Sequence, residues 1–192
     1  MNSTQLTPSD FVRQPWKNGG GITTELAVEA EGDRWLWRLS LAEVTRSGPF
    51  SDFRGYDRIL LLVEGKGMEL TIDDATSVTL ETPYEPFMFD GAARVACRLL
   101  DGPVKDLNVI VDRRRATGAV EVVAAARSRS KTLQSHCVLA YALRGTTAVR
   151  AGSYEGVLGA GELLRIDRAR TSLELTALDH EALLALVRVD LK

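Results

Sequence analysis

The chain has 192 residues, 45% of them hydrophobic, with 24 basic and 26 acidic side chains, two His and two Cys. That length fits one large domain or two small fused ones, with enough apolar residues for a core. Two histidines are too few for a three-His metal site, and two cysteines cannot build a zinc knuckle or a disulfide framework.

Cys97 and Cys137 are therefore read as small buried hydrophobes. Residues 1–10 lack the basic start and apolar run of a secretion signal. The longest aliphatic run, 59–63, falls far short of the roughly 20 residues that span a bilayer. A soluble, cytoplasmic chain with no membrane partner is expected. Residues 1–112 carry 11 basic and 18 acidic groups, whereas 113–131 carry six basic and one acidic. The basic stretch holds Arg113, Arg114, Arg115, Arg127, Arg129 and Lys131. It contains no aromatic for base stacking and no readable DNA-binding motif, so it is read as a solvated linker and strand edge, not a nucleic-acid surface.

Strand signals run the length of the chain. Residues 22–28 alternate, with Ile22, Thr24, Leu26 and Val28 on one side. Residues 35–42 place Trp35, Trp37, Leu39 and Leu41 on one face and Leu36, Arg38, Ser40 and Ala42 on the other. Further strands are expected at 58–64, 68–72, 77–80, 87–89, 95–100, 107–111, 120–125, 137–143, 147–151, 162–166, 173–177 and 183–189. Turn residues separate nearly all of them, which predicts an all-β barrel or sandwich. Only 122–129 and 181–189 also read as helix, so one or two short helices at most are expected.

Two segments about 80 residues apart look alike: Ile59-Leu-Leu-Leu-Val-Glu-Gly65 and Leu139-Ala-Tyr-Ala-Leu-Arg-Gly145. Each is followed by a short strand, then a Leu, a turn and another strand. This order is that of two β-barrel halves.

The N-terminal motifs are more specific. Pro15-Trp-Lys-Asn-Gly-Gly-Gly21-Ile-Thr-Thr-Glu25 precedes Trp37-Arg-Leu-Ser-Leu-Ala-Glu43. Ser47-Gly-Pro-Phe-Ser51 and Gly55-Tyr-Asp-Arg58 follow, then Phe89-Asp-Gly91, Cys97-Arg-Leu-Leu-Asp-Gly-Pro103 and Asp106-Leu-Asn108. This ordered set resembles the HutD/Ves family of bicupin-type proteins, well over roughly residues 12–110 and weakly beyond. The resemblance implies a cupin-like double-stranded β-helix. A first half with N-terminal strands would span 1–112, a basic connecting segment and strand 113–134, and a degenerate second half 135–192. The halves would pack as one unit. The resemblance also implies a link to bacterial histidine utilisation, as a regulator or binding protein for a metabolite such as urocanate or formylglutamate. It implies no established reaction.

Metal-binding cupins group two His and a Glu in one half with a third His after them, but residues 1–112 contain no His. His136 and His180 are read as strand-entry and turn residues, and a metal-free, cofactor-free cupin is expected. A ligand-binding cleft is then expected from Lys17, Asn18, Gly19, Gly20, Gly21, Arg38, Ser40, Glu43, Ser51 and Arg58. The three glycines permit an anion-binding nest of backbone N–H groups. Lys17 adds charge, and Arg38 and Arg58 are candidate carboxylate clamps. Ser51 lacks a nucleophile elbow. Asp101, Asp106 and Asn108 are read as turn caps, and Phe87, Met88 and Phe89 as core.

The leading functional reading is a non-enzymatic protein that senses a small acidic metabolite. One alternative is a metal-independent isomerase or hydrolase with Glu25 or Glu43 as general base and Arg38 or Lys17 stabilising charge. Another is a protein interaction module. A homodimer is compatible with all three.

Overall fold

A computed structural model describes residues 1–124 and 129–192. In chain order the strands are β1 (Asn2–Leu6), β2 (Val12–Pro15), β3 (Gly21–Glu31), β4 (Arg34–Val44), β5 (Gly48–Pro49) and β6 (Tyr56–Glu64). Then come β7 (Met68–Ile72), β8 (Thr76–Leu80), β9 (Phe87–Asp90), β10 (Val95–Leu99), β11 (Val104–Asp112) and β12 (Ala116–Ala124). The last are β13 (Arg129–Arg144), β14 (Thr146–Ala151), β15 (Tyr154–Gly159), β16 (Leu163–Ala177) and β17 (Leu183–Leu191). Among the described residues the one helical element is a short 3₁₀ turn, Pro8–Asp10. Among the described residues no helix is long and apolar enough to cross a membrane.

The chain divides into two compact units. One comprises Phe11–Gly118 with Lys192, and the other Met1–Asp10 with Ala119–Leu191. The expected first half therefore gives up its first ten residues: β1 pairs antiparallel with β16, with Asn2 opposite Asp167 and Leu6 opposite Leu163.

In the unit Phe11–Gly118 a six-stranded sheet, ordered β2-β3-β4-β11-β6-β9, accompanies a four-stranded sheet, β5-β10-β7-β8. Ala42 and Val44 of β4, Leu60 and Leu62 of β6 and Phe89 of β9 share a buried cluster with Met68, Leu70, Val95 and Cys97 of the smaller sheet. Such interdigitation of two inner faces is the physics of a β-sandwich. On the opposite face of the large sheet Trp37, Leu39, Leu61, Leu107 and Val109 are fully buried as well. Strands buried on both faces explain the near-continuous apolar runs in the sequence. Met88, expected in the core, is 58% exposed, because the short β9 at the sheet edge covers only one of its faces.

The second unit holds a seven-stranded sheet in the order β12-β17-β13-β16-β14-β15, with β1 added to β16. Its core includes Leu133, Val138, Leu158, Leu164, Ile166, Leu173 and Leu184. The two strands expected at 162–166 and 173–177 are one strand, β16. Both stretches pair with β13 in one unshifted register, and Arg168 takes a φ of 52° between them. The helical reading of 181–189 gives way to β17, which pairs with β13 and buries Leu184, Ala185, Leu186, Val187 and Val189. The alternative helix at 122–129, the end of the expected strand 120–125 and Arg127 fall partly or wholly on residues 125–128, outside the described residues.

Among the described residues, three of the six basic side chains of the stretch stand in ion pairs. Arg113 pairs with Asp57 and Asp90, Arg115 with Glu31, and Lys131 with Glu121.

Candidate functional site

Strand register sets three rows of side chains across the six-stranded sheet. Arg38 of β4 and Arg58 of β6 both lie opposite Ile110 of β11, and Phe89 lies beyond Arg58. The next row is Glu25, Ser40, Asn108 and Leu60. The third is Thr23, Ala42, Asp106 and Leu62. At about 4.8 Å per strand step, the Arg38 and Arg58 backbones stand about 10 Å apart. Arg38, Ser40, Arg58, Asp106, Asn108 and Ile110 all line one cavity of about 420 Å³. That volume suits a small molecule.

Five polar residues of this wall are almost entirely withdrawn from solvent: Arg38 (8% exposed), Arg58 (6%), Asn108 (5%), Ser40 (3%) and Asp106 (1%). Arg58 Nη2 donates to Asn108 Oδ1 at 2.7 Å, and Asn108 Nδ2 donates to Asp106 Oδ1. Phe50, Phe53 and Phe89 surround the Arg58 guanidinium, their ring centroids 5.2, 5.1 and 4.8 Å from its central carbon. Such cation–π packing partly compensates a cation that has lost its water. Arg58 Nε and Asp106 Oδ2 are buried with no hydrogen-bond partner among the described residues. Burial pushes the Asp106 carboxyl up to about 7, against the opposing pull of Arg58 and of the Asn108 amide. Burial also lowers Arg58 to about 10, which leaves it a cation at neutral pH.

Arg38 is held differently. Its Nε donates to Glu25 Oε2 at 2.8 Å, and its guanidinium carbon sits 4.7 Å from the centroid of the Trp35 ring. Glu25 fixes the side chain and neutralises its charge.

The mouth is built by the turn between β2 and β3. Gly19 N–H donates to Trp16 O, Trp16 N–H to Gly21 O and Gly20 N–H to Asn18 Oδ1. Gly19 adopts a φ of +67°, which glycine tolerates readily. A Cβ on Gly21 would come within 2.3 Å of Glu43 O. The turn thereby delivers Trp16, Lys17 and Asn18 to the cavity, with Trp16 fastened by its Nε1 donating to Thr23 Oγ1 at 2.7 Å. Ser51, Pro49 and Phe50 line it from the segment around β5.

Of the residues proposed from sequence, Lys17, Asn18, Arg38, Ser40, Ser51 and Arg58 line this cavity. Gly19, Gly20 and Gly21 are not among its lining residues, and the N–H groups of Gly19 and Gly20 are used inside the turn. The expected anion nest is therefore closed. Gly20 instead borders a smaller adjoining hollow that shares Trp16, Asn18 and Phe50. Glu43 is also absent from the cavity wall: it accepts from Arg13 Nη2 at 3.1 Å on a partly exposed surface. Glu25 reaches the site only through Arg38.

Sequence reasoning missed Asp106 and Asn108, read as turn caps, and the aromatic walls Trp16, Phe50 and Phe53. A signal for the first two was present. Extending the strand expected at 107–111 back to Val104 places Asp106, Asn108 and Ile110 on one face by simple alternation.

His136 and His180 lie in the other unit. Among the described residues no group of three or more His, Cys, Asp or Glu is arranged to hold a metal ion. Both cysteines are buried, and no disulfide is formed among the described residues. Burial pushes the Cys97 thiol up to about 12, far from a reactive thiolate.

Comparison with known proteins places this geometry in context. The HutD family profile matches residues 8–185. A Pseudomonas putida relative, an uncharacterized 21.2 kDa protein in the hutC 3' region, is 45% identical over 107 residues, covering 55% of this chain and 56% of its own. Protein Ves of Citrobacter koseri is 35% identical over 109 residues, 56% of each chain. The chain thus spans about half the length of these curated relatives. Two solved structures match throughout. A conserved protein of unknown function from Pseudomonas aeruginosa PAO1 has 33% identity and a TM-score of 0.93 over 99% of this chain and 100% of its own. HutD from Pseudomonas fluorescens SBW25 has 30% identity and a TM-score of 0.86 over 100% of both. A mutant of Bacillus subtilis oxalate decarboxylase shares the fold alone, at 9% identity and a TM-score of 0.69 over 97% of this chain and 77% of its own. The architecture is cupin-like and all-β, and the chain belongs to the HutD family.

Proposed function

We propose that the cavity binds a small carboxylate-bearing metabolite of histidine breakdown, urocanate or formylglutamate, and that the protein acts as a sensor and regulator of that pathway. One observation carries the reading: two buried arginines, Arg38 and Arg58, stand in one row of a cavity walled by Trp16, Phe50 and Phe53. Guanidinium groups take carboxylates in a planar, two-bond geometry, and low surrounding polarity strengthens that contact. Family membership and the position of the P. putida relative beside hutC support the pathway link.

An enzymatic alternative with Glu25 or Glu43 as base has less support, because neither carboxylate lines the cavity. Isothermal titration of the full chain with urocanate and with formylglutamate tests the proposal. Saturable 1:1 binding that is lost in Arg58→Met is expected. No heat with either compound at millimolar concentration overturns it.

A further inference from the structure

The Arg58–Asn108–Asp106 chain leaves two ends open. Asn108 uses both halves of its amide, accepting from Arg58 Nη2 and donating to Asp106 Oδ1. What remains is one buried donor, Arg58 Nε, and one buried acceptor, Asp106 Oδ2, each without a partner, on side chains 6% and 1% exposed that line the same cavity. A buried polar atom without a partner is costly, and native proteins seldom keep one without a purpose. A lone carboxylate satisfies the arginine but sets an anion beside Asp106. A ligand that carries both a carboxylate and an N–H donor satisfies both.

We infer that Asp106 selects acidic ligands that also carry an N–H group: the N–H donates to Asp106 Oδ2 while a carboxylate oxygen accepts from Arg58 Nε. Imidazole-bearing and N-acylated acids qualify, and simple carboxylic acids of equal size do not. The inference rests on the reading of this cavity as an acid-binding site and adds which acids it takes. Asp106 is then a specificity residue. Sites that hydrogen-bond a ligand N–H reject the analogue lacking it, because their own buried group is left unpaired.

The test compares urocanate with 3-(2-furyl)acrylate, a planar acid of matching size whose ring oxygen replaces the N–H. Titration calorimetry at pH 8 is run on the wild type and on Asp106→Asn. In that variant Asn108 still has an oxygen to donate to, and the free position becomes an NH₂ donor. The wild type is expected to prefer urocanate by at least about tenfold. Asp106→Asn is expected to lose that preference or reverse it, with furylacrylate affinity held or improved. Equal wild-type affinities for the two acids overturn the inference while leaving the acid-binding reading intact, as does an unchanged preference in Asp106→Asn. Failure of both acids to bind the wild type removes the acid-binding reading itself, and the inference with it.

Discussion

Arg58 and Asp106 carry opposite charges on one cavity wall, yet they are joined through the amide of Asn108, which accepts from the first at 2.7 Å and donates to the second. The arrangement keeps the guanidinium from closing onto the carboxylate and leaves Arg58 Nε and Asp106 Oδ2 unspent. A direct ion pair would occupy both groups. An interposed amide holds them apart and ready.

Asn108→Leu removes that spacer at similar volume. Arg58 Nη2 and Asp106 Oδ1 then lose their partners on two residues almost withdrawn from solvent. Each buried orphan costs roughly 1–3 kcal/mol, and charged ones lie at the upper end. Urea unfolding at pH 7.5 is expected to show a loss of about 3 kcal/mol. A loss below about 1 kcal/mol contradicts the relay.

The Asp106 carboxyl makes stability depend on pH. Its folded value, near 7, lies above that of an unfolded carboxyl. The folded state therefore binds the extra proton, and the associated stability is present below about pH 4 and lost as pH rises through 7. A rise from the ordinary 3.8 to about 7 bounds the effect at about 4 kcal/mol. Between pH 5 and 8 the ligand-free protein is expected to lose stability, and Asp106→Asn to flatten that slope. Ligand binding runs the other way, since an ionised Asp106 is the better acceptor for an N–H: urocanate affinity is expected to rise from pH 6 to 8. A pH slope identical in wild type and variant contradicts the assignment.

Much of the site is legible in the sequence because alternation carries geometric information. The pattern in 35–42 sets Arg38 and Ser40 on one face and Trp37 and Leu39 on the other, and the structure buries both faces. Arg58 is legible as a cation opening an apolar strand. Asp106 is legible only once the strand is carried back to Val104, because Gly102-Pro103 nearby reads as a turn and the apolar run starts three residues after the strand does. The glycine run misleads for a different reason. Glycine permits a nest, but Asn18 Oδ1 and Trp16 O take the N–H groups first. Nor does local pattern reveal that β1 pairs with β16, a partnership more than 150 residues apart in the chain.

Gly21 matters for steric reasons rather than for anion binding. A methyl group there would meet Glu43 O at 2.3 Å and the Trp16 ring at 3.1 Å. Backbone cannot yield as a side-chain tip does, so Gly21→Ala must move the turn that carries Trp16, Lys17 and Asn18. Overpacking of this kind costs typically about 1–3 kcal/mol. A lowered melting temperature together with a loss of urocanate affinity is expected. Gly19→Ala, with open space around its Cβ but a φ of +67°, is expected to lower stability by about 1 kcal/mol while sparing binding more.

Glu25 separates a binder from an enzyme. Its Oε2 accepts from Arg38 Nε at 2.8 Å, with 10% of the Arg38 side chain and 22% of the Glu25 side chain exposed. Glu25→Gln keeps an acceptor for Arg38 and removes one negative charge from behind the cavity. If the site exists to hold an anion, that change strengthens the local field, and roughly 1 kcal/mol of added attraction corresponds to about fivefold tighter urocanate binding. If Glu25 were a general base, the same variant would bind equally well and abolish conversion of the ligand. Calorimetry paired with product analysis of the same incubation decides. Tighter binding with an unaltered ligand is the expected result, and a product formed by the wild type but not by Glu25→Gln overturns the sensor reading.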